Sequence, residues 1–223
     1  MRKILALLAM LTLPGCNEVH SVRPLAVAPD GAPRFRPGLW VGVDSDCVFD
    51  ANQPVKAWPA CASGFAIDTR QIRGVREEDR GDLTDYRLSG RFPTVVQARV
   101  LRDAGGPAPE DEAAAKLGPY QYLGLRVLRT DRAGRMLEAG FWNALCGPPP
   151  PPAKPGETSR YVTAAPLPGL TIVGDACTAD TLDAVRGSVI ASQAWSPPQV
   201  IRWVRGKPWI EIRNPRPALA GRG

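Results

Sequence analysis

The chain has very little histidine, because His20 is the only imidazole among its 223 residues. That scarcity excludes Ser-His-Asp and Cys-His nucleophilic catalysis and histidine-ligated zinc, since each of these sites needs imidazole nitrogen atoms. Glycine-rich nucleotide fingerprints and C-x-x-C pairs are also missing, and thiolate metal sites usually use that close cysteine spacing. We therefore expect no cofactor, no metal and no catalytic residue, and we predict that the protein is not an enzyme.

The start of the chain has the pattern of an export signal. Arg2 and Lys3 precede an apolar run at residues 4–13, which is the charge and hydropathy order of a signal peptide. At about 1.5 Å per helical residue, this run is too short to cross a hydrocarbon core of about 30 Å. We predict a signal peptide over residues 1–15.

Leu13, Pro14, Gly15 and Cys16 end this segment. The tetrapeptide resembles the lipobox of bacterial lipoprotein precursors, in which an aliphatic residue and two small residues precede an invariant cysteine. The resemblance covers only the first sixteen residues, and Pro14 stands where the family usually has Ala or Ser. It implies that Cys16 is joined to a diacylglycerol, becomes the first mature residue and is acylated with chains such as palmitate.

Lipidation at Cys16 would decide where the protein resides. Several acyl chains on one cysteine give stable anchoring, because each buried methylene contributes about 0.8 kcal/mol. We expect a protein of the cell envelope, lipid-anchored to a bacterial membrane, and Asn17 favours the outer membrane in a Gram-negative host by analogy with that family. The alternatives are an A-x-A cleavage site at residues 26–28 or an uncleaved anchor.

Four further cysteines lie in the mature chain, at Cys47, Cys61, Cys146 and Cys177. An even number of cysteines in an exported protein predicts two disulfides. Three pairings can be drawn, and sequence order favours Cys47–Cys61 and Cys146–Cys177 because each pair closes a local loop. The shorter loop would stabilise the fold by about 3 kcal/mol on chain-entropy grounds.

Proline and charge divide the mature chain into segments. Residues 16–38 contain four prolines and few bulky side chains, so we predict the lipidated Cys16 followed by an extended tether with a solvated His20. Residues 39–213 are predicted to form a single mainly-β domain. Six Lys or Arg stand against one Glu in residues 200–223, and we expect 214–223 to be a basic disordered tail.

Alternation of apolar and polar residues predicts most of the strands. The clearest unit is a β-hairpin over residues 120–145, with a polar turn that ends in Gly134. The mixed charges of residues 70–91 predict an exposed face. Further strands are predicted at 38–43, 64–67, 94–101, 161–163, 170–173, 200–204 and 209–212.

One amphipathic helix is predicted from 179 to 194. Leu182, Val185 and Val189 fall on one face of it, and two prolines follow its end. The predicted fold class is therefore α+β, a mainly antiparallel β sheet with one C-terminal amphipathic helix packed on it and two disulfides.

Three sets of side chains could form a metal, catalytic or ligand-binding site, but the sequence pattern that supports each of them is weak. The acidic set near residue 47 lacks the glycine and the bidentate glutamate of a calcium loop, and a carboxylate pair for glycoside hydrolysis is easily found among 22 acidic residues. The six tryptophans could line a groove for sugar or lipid, although tryptophan is more often a core residue. The acidic candidates are Asp44, Asp46 and Asp50 for calcium, and Glu77 with Asp82 or Asp85 for hydrolysis.

From these observations we expect a membrane-anchored envelope lipoprotein that acts as a non-catalytic structural or interaction module. Its partner would be an envelope protein or polymer, and not a nucleic acid. The alternative is a β-sheet lipoprotein that holds an apolar or sugar ligand, and a carboxylate-based hydrolase comes third. An apolar cavity would favour the ligand, whereas a filled core with an exposed tryptophan patch would favour a protein partner.

Overall fold

The computed structural model describes residues 17–26, 31–43, 47–75, 83–90, 92–101, 116–151 and 161–204. This part of the chain is mainly antiparallel β with one complete α-helix and two disulfides, as predicted. The helix α1 spans Leu182–Ser192. The strands are β1 (Val19–Ser21), β2 (Arg34–Phe35), β3 (Gly38–Val43), β4 (Ala62–Ile67), β5 (Gln71–Gly74), β6 (Leu83–Ser89), β7 (Thr94–Leu101), β8 (Tyr120–Thr130), β9 (Arg135–Asn143), β10 (Leu170–Val173), β11 (Ala176–Ala179) and β12 (Gln199–Trp203).

Eight of these strands close into an antiparallel barrel. Strands β3 to β9 follow one another around the ring, and β12 returns to pair with both β9 and β3. The hairpin of β10 and β11, together with β1, extends the sheet from the edge of β8. The interior of an eight-stranded barrel is just wide enough for side chains or for one small ligand.

The core consists of three apolar clusters, because both faces of the barrel wall are covered. On β9, the adjacent Phe141 and Trp142 point in opposite directions, one into the barrel and one outward beneath α1. The predicted helix stripe is confirmed, since Val185 and Val189 are fully buried in the outer cluster. The third cluster lies outside β3 and β4, and it consists of Leu39, Val41, Trp58, Ala62 and Val204.

The hairpin of β8 and β9 confirms the strongest local prediction. In its turn, one carboxylate oxygen of Asp131 accepts hydrogen bonds from the backbone N–H groups of Ala133 and Arg135, each at 2.9 Å. Gly134 has φ +75°, a left-handed conformation that glycine adopts without steric cost.

Both disulfides form in the predicted pairing. The Cys47–Cys61 bond, with its Cα atoms 5.6 Å apart, closes the loop that covers the outer face of β3 and β4. The Cys146–Cys177 bond, with its Cα atoms 5.8 Å apart, ties the chain after β9 to β11. Each bond therefore holds a covering segment against the barrel wall.

The prediction of an extended tether over 16–38 is wrong for the described residues of that range. Strand β1 lies between β11 and β8, with Val19 fully buried, and Phe35 on β2 is 3 % exposed. The prolines of this range fall between the short strands and in none of them. Spaced prolines therefore separate strands here instead of preventing them.

The charged segment 70–91 also contains strands that the charge pattern concealed. Ile72 on β5 and Tyr86 and Leu88 on β6 pack inside the barrel, while Arg87 between the last two is exposed. Residues 161–163 form no strand, and α1 begins at Leu182 with Thr181 as its N-cap. Cys16, the signal peptide, residues 209–212 and the basic tail lie outside the described residues.

Candidate functional site

A cavity of about 110 Å³ lies inside the barrel. Its wall is mainly apolar, because most of the lining residues from seven strands are aliphatic or aromatic. Close-packed interiors contain few voids larger than a water molecule, so a cavity of this size in a barrel is a candidate binding site. The main apolar side chains of the wall are Phe65, Ile67, Ile72, Val96, Ala98, Leu123, Phe141 and Ile201.

Phe35 packs inside the barrel. Strand β2 pairs with the start of β9 and places this ring among three other aromatic residues. The Phe35 ring stacks on Phe141 at a centroid distance of 6.0 Å and meets Trp40 and Tyr86 edge-on at 5.2 and 5.4 Å. Because Phe141 and Tyr86 also line the cavity, this aromatic cluster adjoins it.

The cavity also reaches the surface. Here the wall consists of Asn143 at the end of β9 and of Ser196, Pro197 and Gln199 at the start of β12. Pro197 is exposed and the other three residues are half-buried. We call these four residues the cavity mouth.

A buried carboxylate lies beside this mouth. Glu18 is 4 % exposed, and its Oε1 accepts a hydrogen bond of 2.7 Å from Nδ2 of Asn143. Its Oε2 accepts a hydrogen bond from Nε2 of Gln121. Gln121 stands opposite Ala98 in the register of β7 and β8, so these polar groups lie on the face of the sheet that lines the cavity.

His20 lies on the same face, and the prediction that it is a solvated linker residue is wrong. Its Cα is opposite Gln121 in the register of β1 and β8, and the residue is only 8 % exposed. Nε2 is buried and has no hydrogen-bond partner among the described residues. Burial lowers the pKa of this imidazole to about 4, so it is neutral at pH 7.

The acidic candidates do not assemble into a site in the described part of the chain. Asp50 accepts a hydrogen bond of 2.9 Å from the backbone N–H of Asn52, in an exposed turn. Asp85 accepts one of 3.0 Å from the side chain of Gln71. Asp44, Asp46, Glu77 and Asp82 lie outside the described residues, among which no group of three potential metal ligands occurs.

The tryptophans do not form a common groove either. Trp40, Trp58 and Trp142 are buried in three different clusters, inside the barrel, under the disulfide loop and under α1. Trp195 and Trp203 are half-buried, and Trp209 lies outside the described residues. The buried tryptophans therefore serve packing in separate places, and Trp142 also borders the cavity, whose wall otherwise consists mainly of phenylalanine, tyrosine and aliphatic residues.

Comparisons with known protein families, with curated proteins and with solved structures found no match to this chain. In the described ranges no helix is long and apolar enough to span a membrane.

Proposed function

We propose that this protein is a lipid-anchored envelope lipoprotein whose barrel binds a small apolar molecule. The observation that carries this proposal is the apolar cavity of about 110 Å³ with a mouth at the surface. An engineered cavity of roughly 150 Å³ with a similar aliphatic and aromatic lining stays dry and binds benzene. The barrel therefore suits a single small ring or a short branched alkyl chain.

The cavity favours a ligand-binding function over the role of structural or interaction module that the sequence suggests first. Most exposed apolar side chains of the described residues are scattered along the chain, among them Phe92, Tyr161 and Ile190, and Val127 and Leu128 are the adjacent pair on β8. The buried carboxylate near the cavity, Glu18, is held by two amide groups, whereas glycoside hydrolysis needs a second carboxyl group beside it. We therefore propose binding without catalysis.

Filling the cavity should abolish binding. Ala98 is 3 % exposed and lines the cavity, so leucine at this position adds three carbon atoms where a ligand would lie. We expect toluene at ten times its Kd to raise the free energy of unfolding of the unmodified protein by about 1.4 kcal/mol. The same toluene concentration should leave Ala98→Leu unchanged, as measured by thermal unfolding.

Ala133→Leu is the matched control, because Ala133 is exposed in the turn between β8 and β9. This variant should respond to toluene like the unmodified protein. An equal response of all three proteins would place toluene outside the barrel and contradict the proposal.

The proposed anchor lies close to the barrel. Cys16 precedes Glu18 by two residues, so at most about 7 Å of extended chain separates their Cα atoms. Asn17 is 4 % exposed, and its side chain donates a hydrogen bond of 3.0 Å to the Gly147 carbonyl. Lipidation at Cys16 would therefore hold the mouth side of the barrel near the membrane, where apolar molecules concentrate.

Replacing Cys16 with serine tests the anchor. We expect the variant to lose acyl labelling and to move from the membrane fraction to the soluble fraction, because serine cannot form the thioether to diacylglycerol. Cys61→Ser, which breaks the first disulfide by removing one of its two sulfur atoms, should keep its acyl label. Unchanged membrane retention of Cys16→Ser would contradict the proposed anchor.

A further inference from the structure

One wall residue of the cavity has an unused hydroxyl group. Thr84 on β6 is 3 % exposed and lines the cavity. Its side chain points inward with those of Tyr86 and Leu88, because the alternate residues Asp85 and Arg87 face outward. The hydroxyl has no hydrogen bond to any other described residue, and it keeps some accessible surface, since His20 Nε2 is the one fully buried side-chain N or O atom without a partner in the described part of the chain.

Asn143 offers a second polar atom at the mouth. A carboxylate only accepts hydrogen bonds, so Glu18 fixes the Asn143 amide with Nδ2 toward its own Oε1. Gln121 holds the other carboxylate oxygen of Glu18 in place. The remaining polar atom of the Asn143 side chain is therefore the acceptor Oδ1, on a residue that lines the cavity.

The two groups lie at separate positions around the ring. Thr84 is on β6 and Asn143 is on β9, and two strands, β7 and β8, stand between them. The wall between these positions is apolar, with Val96, Ala98 and Leu123. A molecule in the cavity thus meets a hydrocarbon surface that is interrupted by a hydroxyl and by an amide oxygen.

We propose that the ligand of the barrel is a small hydroxylated ring of the phenol class, and that Thr84 selects it over a hydrocarbon ring of the same size. The inference rests on the proposed binding function. The ring would fill the apolar space, and its one hydroxyl would form a hydrogen bond with Oγ1 of Thr84. A site with a buried polar group disfavours analogues that leave this group unpaired.

Thr84→Val removes the hydroxyl and preserves the shape of the side chain. Phenol and toluene form a matched ligand pair, since they differ by a hydroxyl in place of a methyl group. We expect the Kd of phenol, measured by titration calorimetry on the mature protein, to rise about tenfold in Thr84→Val, the loss expected for one hydrogen bond. The Kd of toluene should stay the same or fall, because valine offers a methyl group in place of the hydroxyl.

Thr94→Val is the control variant. Thr94 is also 3 % exposed and faces the barrel interior on β7, but it does not line the cavity. The Thr94→Val substitution should change neither the Kd of phenol nor the Kd of toluene. If Thr84→Val weakens the binding of phenol and of toluene equally, or weakens the binding of neither, Thr84 does not select the ligand and the inference is overturned. If the unmodified protein binds neither molecule, the proposed binding function fails together with the inference.

Discussion

Replacing Trp142 with alanine is expected to lower the free energy of unfolding by about 3–5 kcal/mol, the usual cost of removing a buried tryptophan. The Trp142 ring is 2 % exposed, and its Nε1 donates a hydrogen bond of 2.8 Å to the Val189 carbonyl of α1. Gly124 makes room for it, because a Cβ at this position would lie 2.1 Å from the ring. This one side chain therefore joins the helix to the barrel wall, and urea unfolding measures the loss.

Trp195→Ala provides the comparison for this loss. Trp195 follows α1 and is half-buried, and its indole makes no hydrogen bond to another described residue. We expect its replacement to cost less than about 1 kcal/mol. Equal losses for the two variants would show that α1 does not depend on Trp142 for its position on the barrel.

Acid should destabilise the protein through its single histidine. Burial lowers the pKa of His20 from 6.5 to about 4 in the folded state, so the unfolded chain binds the proton more readily. The contribution of His20 to the free energy of unfolding is therefore fully present above pH 6.5. It is lost as the pH drops from 6.5 to 4, and below pH 4 this group causes no further change. The whole shift corresponds to about 3 kcal/mol.

His20→Phe separates this effect from the titration of carboxylates such as Glu18 on the same face. We expect the free energy of unfolding of the variant to fall less steeply between pH 6.5 and 4, by up to about 1.4 kcal/mol per pH unit at the steepest point. Because the chain has one histidine, its imidazole carbon resonances can be followed without overlap. A midpoint near pH 6.5 for these resonances in the folded protein would contradict the buried position of His20.

Local sequence patterns predicted the elements that have one covered face or a specific turn. The hairpin of β8 and β9 combines alternating apolar residues with Gly134 at a left-handed turn position. The apolar stripe of α1 and the pairing of the cysteines could be predicted in the same way, because each depends on residues that lie close together in the chain. These features required no knowledge of how distant segments meet.

Closure of the barrel could not be predicted in this way, because it depends on β12 pairing with β3, far away in the chain. Strand β3 is buried on nearly all of its length, with Trp40 inside the barrel and Leu39 and Val41 under the disulfide loop. Its apolar run therefore carries no alternation that would assign an inner face. The cavity could not be predicted for the same reason, since its volume depends on how side chains from seven strands meet.

The N-terminal segment shows why a prediction from composition alone was wrong. Its prolines indicated an extended tether, yet the four residues from Glu18 to Ser21 contain none and include β1, which pairs with β11 on one side and with β8 on the other. A buried glutamate and a buried histidine at positions 18 and 20 are unusual by residue type, so no composition rule would place them inside. The burial of Glu18 depends on the amide groups of Gln121 and Asn143, which the fold brings from more than 100 residues away.

The central claim is that the barrel contains an apolar space that a ligand can occupy. A crystal structure determined under xenon pressure tests it most directly, because xenon binds dry apolar cavities without needing any polar contact. We predict one xenon atom inside the barrel, in contact with Val96, Leu123 and Phe141 of the cavity wall. A barrel interior with no xenon, in which side chains from β4 to β9 fill the space, would contradict the account.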